Sequence, residues 1–387
     1  MVIMYKNNIE NYRKSIIKTR RDLHQIPEAG FEEYKTQAYL EKFLFHLPHV
    51  KLFKTAQTGV LAWFDAGHAE AVALRSDIDA LSIEEMTQHD FKSSHEGLMH
   101  ACGHDGHMTM MLHMAVWISE HFEELKKNVM IIFQPAEEGP GGAEFVIKEG
   151  IFEKFNIKEI YGYHLYPEVE QGFFATKKGP LMAMTGEFDI VIHGVSGHGA
   201  MPHKGIDAAV IASELILQLQ NIVSRRISPI EPAVVTVGKV SIGQRRNIIA
   251  ETAILEGTCR AFSESVFAKI EEHMRAYLRG IEASYGIKAE LDFRVMYPPV
   301  INDGELVDAF IEANGSDRVQ IIEPQMIAED FALFQKVVPG IFVFVGTKNE
   351  AKGFVNPLHS SMFDFDESAL LDGVEGLLKM LKIRGVV

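Results

Sequence analysis

Short apolar runs alternate with stretches of helical period through most of the chain. "AVALRSD", "NVMIIFQ", "EIYGYHLYP" and, near the end, "GIFVFVGT" have the length and apolar density of buried strands. Between them, apolar residues spaced by three and four predict helices over 8–21, 36–45 and 108–125, the last with Asp105 placed to cap it. Strands alternating with helices imply an α/β domain, a mostly parallel sheet with helices on both faces.

The texture changes near Met184. "GEFDIVIHGVSG", "AVVTVGKV", "IIAETAILEGTCRAF" and "KAELDFRVM" alternate apolar and polar residues, as strands with one covered face do. Amphipathic helices are expected over 206–225 and 264–285. The resulting order β-α-β-β-α-β is that of a ferredoxin-like α+β sandwich. The chain is therefore expected to hold one domain over 1–183 and 299–387, interrupted by a smaller one over 184–298. A length of 387 residues, too great for one compact core, agrees with this.

Composition narrows the partners. The chain is 47% hydrophobic and 24% charged, with a formal net charge of −15. An acidic balance argues against nucleic acid and anionic membrane, which need a basic face. No apolar run is long enough to span a bilayer, and the start has no signal-peptide pattern. Two cysteines make no disulfide framework, so a cytoplasmic protein with reduced thiols is expected.

The chemistry gathers at strand ends. "RSDIDA" places Asp77 and Asp79 after one strand, "QPAEEG" places Glu137 and Glu138 after another, and "YGYHLYP" places His164 at a third. His359 follows "GIFVFVGT" in "FVNPLHSS", and "MHACGHDGHM" adds Cys102 and His104. Open α/β sheets build their sites outside the carboxyl ends of the strands. In an extended segment Cys102 and His104 would face the same way. Taken singly, the glutamates could be a solvated turn and the aspartates helix caps. Together, a thiolate, imidazoles and carboxylates suit zinc, and also manganese, cobalt or nickel, with enough donors for two ions. Of two adjacent glutamates, one can ligate while the other takes a proton from a water whose pKa a metal lowers to about 7. Spacing alone does not say which does which.

At these residues the chain resembles the M20 metallopeptidase family, in its amidohydrolase branch of N-acyl-amino-acid deacylases. The resemblance rests on "RRDLHQIPEAGFEE", "RSDIDAL", "HEGLMHACGHDGHM", "FQPAEEGPGGA", "GVSGHGAMPH", "NIIAETAILEGTCR" and "LHSSMFDFDE", in the family's order. It implies a two-metal catalytic domain interrupted by a lid domain through which a homodimer forms. It implies Cys102, His104, Glu138, His164 and His359 as metal ligands and Glu137 as general base. The wider family reads His-x-Asp where this chain has Asp77 and Asp79. Asp79 matches the orienting aspartate best, with Asp77 retained as the alternative. His198 would polarise the substrate carbonyl, and Asn247 and Arg260 match substrate-facing lid positions. Ser82 replaces a usual proline and Gly199 a usual alanine, and neither touches an implied ligand. Within the branch the chain looks most like the deacetylases acting on N-acetyldiaminopimelate in lysine biosynthesis, with hippurate hydrolases and other aminoacylases close. A catalytically silent metal- or peptide-binding relative is the competing reading, and an acid at Glu137 beside a ligating acid argues against it.

Overall fold

A computed structural model describes residues 9–387. In chain order, the strands of its two main sheets are β1 (Val50–Thr55), β2 (Gly59–Phe64), β3 (Ala71–Asp77), β4 (Asn128–Gln134), β5 (Ile157–Glu170), β6 (Phe174–Thr176), β7 (Met184–His193), β8 (Ala233–Ile242), β9 (Thr252–Ala261), β10 (Lys288–Tyr297), β11 (Val319–Ile321) and β12 (Gly340–Lys348). The principal helices are α1 (Arg13–His24), α2 (Tyr34–Phe45), α3 (His104–Glu120), α4 (Gly142–Lys148), α5 (Ala208–Asn221), α6 (Glu264–Tyr285), α7 (Gly304–Asn314) and α8 (Ala369–Ile383). Position 8, where the first helix was expected to begin, lies outside the described residues. Among the described residues no helix is long and apolar enough to cross a membrane.

The chain divides into two compact units. The first gathers the residues up to Leu181 with Ile301–Glu323 and Asp330–Val387. The second holds Met182–Val300 together with the short segment Pro324–Glu329. That segment joins the second unit because the Ala183 N–H reaches the Gln325 and Ile327 carbonyls, at 3.1 and 2.9 Å.

The first unit is built on an eight-stranded sheet in the order β1-β2-β4-β3-β5-β12-β6-β11. Its central strands β4, β3, β5 and β12 run parallel, while β1, β2 and β6 join antiparallel to their inner neighbours. β2, β3 and β4 are buried along their whole length, as a sheet covered on both faces requires. Helix α3 lies against the centre of the sheet and packs also on α1, α2 and α8. It is buried from His104 to Ser119. A helix enclosed on every side needs no polar stripe, and its methionines, leucine and isoleucine belong to one continuous core. Each such side chain taken from water stabilises the unit by about 1.5–3 kcal/mol.

The second unit is a four-stranded antiparallel sheet in the order β8-β9-β7-β10, with α5 and α6 packed together on it. In this unit's own strand numbering the order is 2-3-1-4, the ferredoxin-like arrangement. α6 starts at Ser263, whose hydroxyl accepts the Val266 N–H, and ends on Gly286 at φ 64°, a left-handed cap that glycine adopts without strain.

Candidate metal centre

β3 carries the chain from a buried apolar run into Asp77, and Asp79 follows two residues later. From β4 the chain enters a tight turn in which Ala136 has φ 55°, and Glu137 and Glu138 come next. The turn is held from outside: the Ala136 N–H donates to Glu33 Oε1 at 2.9 Å, and the Glu138 N–H to Asp79 Oδ2 at 3.0 Å. Gly142 packs so closely on this turn that a Cβ there would lie 1.8 Å from the Pro135 carbonyl oxygen.

Cys102 and His104 are not on one extended segment as expected. Gly103 between them has φ 86° and turns the chain into α3, which begins at His104 rather than near 108. The apolar period starts late because the first turn is polar yet fully buried, with His104, Asp105 and His107 at or below 1% exposure. Nor does Asp105 cap α3. It sits inside the first turn and accepts from Arg20 Nε at 2.9 Å and His24 Nδ1 at 2.8 Å. His164 is not at a strand end either. β5 runs on for six residues beyond it, but the β3 pairing stops at Gly162, so His164 emerges level with Asp77. His359 has φ 63° and is tied to the Cys102 turn through its N–H to the Ala101 carbonyl, at 2.9 Å.

These elements bring the implied ligands together. The donor atoms of Cys102, His104 and His164 lie within 4.8 Å of one another, and so do those of Cys102, Glu138 and His359. The groups His104, Glu137, Glu138 and Asp77, His104, His107 meet the same condition. Cys102 is thus common to two groups, with its Sγ 3.4 Å from His164 Nε2, while His359 Nε2 is 3.2 Å from Glu138 Oε1.

The imidazoles are aimed. His104 Nδ1 donates to the Asp79 carbonyl at 2.9 Å, and His164 Nδ1 to the Leu165 carbonyl at 2.6 Å. A carbonyl can only accept, so each ring presents Nε2 to the cluster. His104 Nε2 and Asp79 Oδ1 are buried with no hydrogen-bond partner among the described residues. Such orphans are costly unless something else pairs with them. The charges agree. Burial alone would hold His104 neutral, but Asp77 and Asp79 outweigh it and raise the ring to about 10. Burial, then Glu138, Glu137 and Asp77, push the Cys102 thiol well above its usual range. His164 is driven well below its usual value by burial and then His107, so it is a neutral donor. A pocket that holds a proton on His104 this strongly is one that favours a cation in its place. The thiol, three imidazoles and carboxylates fit divalent metal ions by donor chemistry.

The remaining implied residues lie in the second unit. His198 forms a two-residue strand whose partner is Ile248, and the Gly199 N–H reaches the Asn247 carbonyl at 2.9 Å. His198 and Asn247 are therefore neighbours. His198 is exposed, and its Nδ1 accepts the Ala200 N–H at 3.1 Å, which leaves Nε2 as the outward donor. Arg260 stands near the other end of β9, with Nη1 on the Cys259 carbonyl at 2.9 Å.

Several residues around the centre escaped the sequence reading. His107 and Arg75 flank Asp77, Glu33 holds the glutamate turn, and Arg20 and His24 anchor Asp105. Only His107 carried a local signal, in the spacing of "GHDGH". The others act over separations of 81 to 103 residues or, for Arg75, through a strand whose apolar run hid it.

Comparison with known proteins agrees with this arrangement. Residues 73–383 match the family described as Peptidase family M20/M25/M40. An N-acetyldiaminopimelate deacetylase of Exiguobacterium sibiricum is 42% identical over 92% of this chain and 95% of its own. An N-acetyl-L-cysteine deacetylase of Bacillus subtilis is 38% identical over 94% of this chain and 86% of its own. Among solved structures, a Bacillus subtilis protein described as a dinuclear metal binding peptidase from the M20 family superposes with a TM-score of 0.83. It is 33% identical and covers 97% of this chain and 100% of its own. The chain belongs to the M20/M25/M40 peptidase family.

Proposed function

We propose that this protein is a dinuclear metal-dependent amidohydrolase that removes the acetyl group of N-acetyldiaminopimelate, in the cytoplasm. The observation that carries the reading is the junction of the two donor groups at Cys102, with Glu137 beside a ligating Glu138. Cys102, His104, Glu138, His164 and His359 would hold two divalent ions, zinc or manganese foremost. Bound there, the ions would supply Lewis-acid polarisation of the amide carbonyl and acidify water.

The chain's own groups do the rest. Glu137 takes a proton from the water that attacks the acetyl carbonyl carbon. As the C–N bond breaks, the same carboxyl returns that proton to the leaving amine nitrogen. Asp79 holds two parts of the site at once, the His104 ring through its carbonyl and the Glu138 backbone through Oδ2. It is the orienting aspartate in this reading. His198 gives its Nε2–H to the carbonyl oxygen as charge develops there, and Asn247 and Arg260 serve the substrate's polar groups. The second unit acts as the lid and as the dimer contact.

The test is turnover of a panel of N-acyl amino acids by protein loaded with zinc, manganese or cobalt. N-acetyldiaminopimelate should give a kcat/KM at least tenfold above N-acetyl-L-cysteine and hippurate. A preference for either of those would reassign the substrate, and no turnover of any amide by the loaded protein would sink the enzyme reading.

A further inference from the structure

Asp77 and His107 pass the distance condition for a metal group with His104, yet their hydrogen bonds describe another task. His107 Nε2 lies 2.9 Å from the Leu165 N–H. A backbone N–H can only donate, so this ring nitrogen is an acceptor and its lone pair is already engaged. His107 Nδ1 then carries the proton and gives it to Asp77 Oδ1 at 2.7 Å. The other Asp77 oxygen accepts from Arg75 Nη1, also at 2.7 Å. Arg75 is fixed in turn by Gln134 Oε1 at 2.9 Å and Asp330 Oδ1 at 2.8 Å. Every member of this chain is buried to 1% exposure or less.

The far end of the chain reaches a ligand. Leu165, whose N–H is held by His107, offers its carbonyl to His164 Nδ1 at 2.6 Å. The His107 and His164 rings meet edge to face at 4.5 Å between centroids. His107 therefore fixes the peptide that fixes the tautomer and tilt of His164. Outer partners of metal-bound histidines orient the ring and raise its basicity.

We propose that Asp77 and His107 form a buried positioning dyad for His164, anchored by Arg75, and contribute no ligand of their own. The inference rests on the reading that His164 binds metal. It also gives Asp77 a task where relatives carry histidine: a side chain short enough to lie between Arg75 and His107 while accepting from both.

The experiment measures zinc stoichiometry and affinity by chelator competition on the full-length protein, for wild type, His107→Gln and His107→Leu. Glutamine can accept from Leu165 and donate to Asp77, whereas leucine fills similar space and does neither. His107→Gln should bind two ions within about threefold of wild-type affinity. His107→Leu should still bind two at saturation, with affinity for the His164 ion lowered about 10–100-fold. Were packing alone at stake, leucine would serve as well as glutamine, and unchanged affinity in His107→Leu overturns the proposal. So does loss of one ion at saturation in His107→Gln, which would make His107 a ligand, and so does a fall of more than tenfold in that variant. Should His107→Leu not fold, the His107→Gln result decides by these same criteria. A wild-type chain that took up no metal would overturn the ligand assignment itself, and the dyad's role with it.

Discussion

At the scale of single residues, the centre is made by acids and imidazoles that share work. Glu137 and Glu138 are adjacent, but only Glu138 has its side chain on a ligand, His359 Nε2 at 3.2 Å. Its backbone is pinned by Asp79, so the turn gives the two carboxylates different directions. Glu137→Gln keeps the size and polarity of the side chain and removes its capacity to take a proton. The variant should hold its full metal content while kcat falls by about 10²–10⁴, the usual contribution of a general base. Metal analysis alongside steady-state kinetics checks this, and retention of more than a tenth of wild-type kcat would remove Glu137 from the role. The donors themselves were legible in the sequence because thiol, imidazole and carboxylate side chains announce their chemistry. Their division of labour was not. Asp77 and Asp79 are two residues apart and chemically identical, and only the partners distinguish them: Arg75 and His107 for one, the His104 and Glu138 segments for the other.

At the scale of elements, strands were read well where burial was two-sided and helices well where one face was wet. β3 and α6 match their expected limits because an unbroken apolar run and a clear amphipathic stripe leave little choice. α3 was misjudged at its start because its polar residues are buried in pairs with α1 and β3, which no local pattern reveals. β1 was missed, since its alternation is blurred by exposed Lys51, Phe53 and Lys54 at the sheet edge. The polar content of α3 has a measurable cost. His113, two turns past the ligands, has its ring 5.9 Å from that of Tyr12 and 6.0 Å from that of Phe43. Its Nδ1 donates to the Thr109 carbonyl, and its Nε2 is 3.0 Å from Ser15 Oγ. Burial pushes this imidazole down to about 4. Between pH 4 and 6.5 the unfolded chain therefore binds a proton that the folded chain refuses, so stability falls as pH drops through that window. The neutral ring's contribution is whole above pH 6.5 and is lost progressively below it. His113→Gln cannot take the proton. Between pH 7 and 5, wild type should lose about 2 kcal/mol more unfolding free energy than this variant. Urea titrations at the two pH values measure the difference, and equal losses would show that His113 is not held neutral.

At the scale of the whole molecule, the division into two units separates metal chemistry from one donor that the reaction is expected to use. All five implied ligands and Glu137 belong to the first unit, while His198 belongs to the second. Within that unit His198 is built for presentation. Its short strand is braced by Ile248, its Nδ1 is satisfied by the Ala200 N–H, and the ring is exposed with Nε2 outward. Histidine in such a position is costly to bury and serves no core. A donor aimed at a developing oxyanion contributes about 10²–10³ in kcat, so His198→Ala should lose that much with full metal occupancy. If the second unit also joins two chains, the same residue can be supplied by the partner. Co-expression of Glu137→Gln and His198→Ala chains separates the arrangements. In a hybrid dimer with exchange across the interface, one site has Glu137 from one chain and His198 from the other, both intact. Random pairing into two-fold dimers then restores roughly a quarter of wild-type activity from two inactive parents. Without exchange, each site in the hybrid lacks one of the two groups, and activity stays at the level of the parents. Purifying the hybrid through different tags on the two chains ensures that absence of recovery reports on His198 and not on failure to mix.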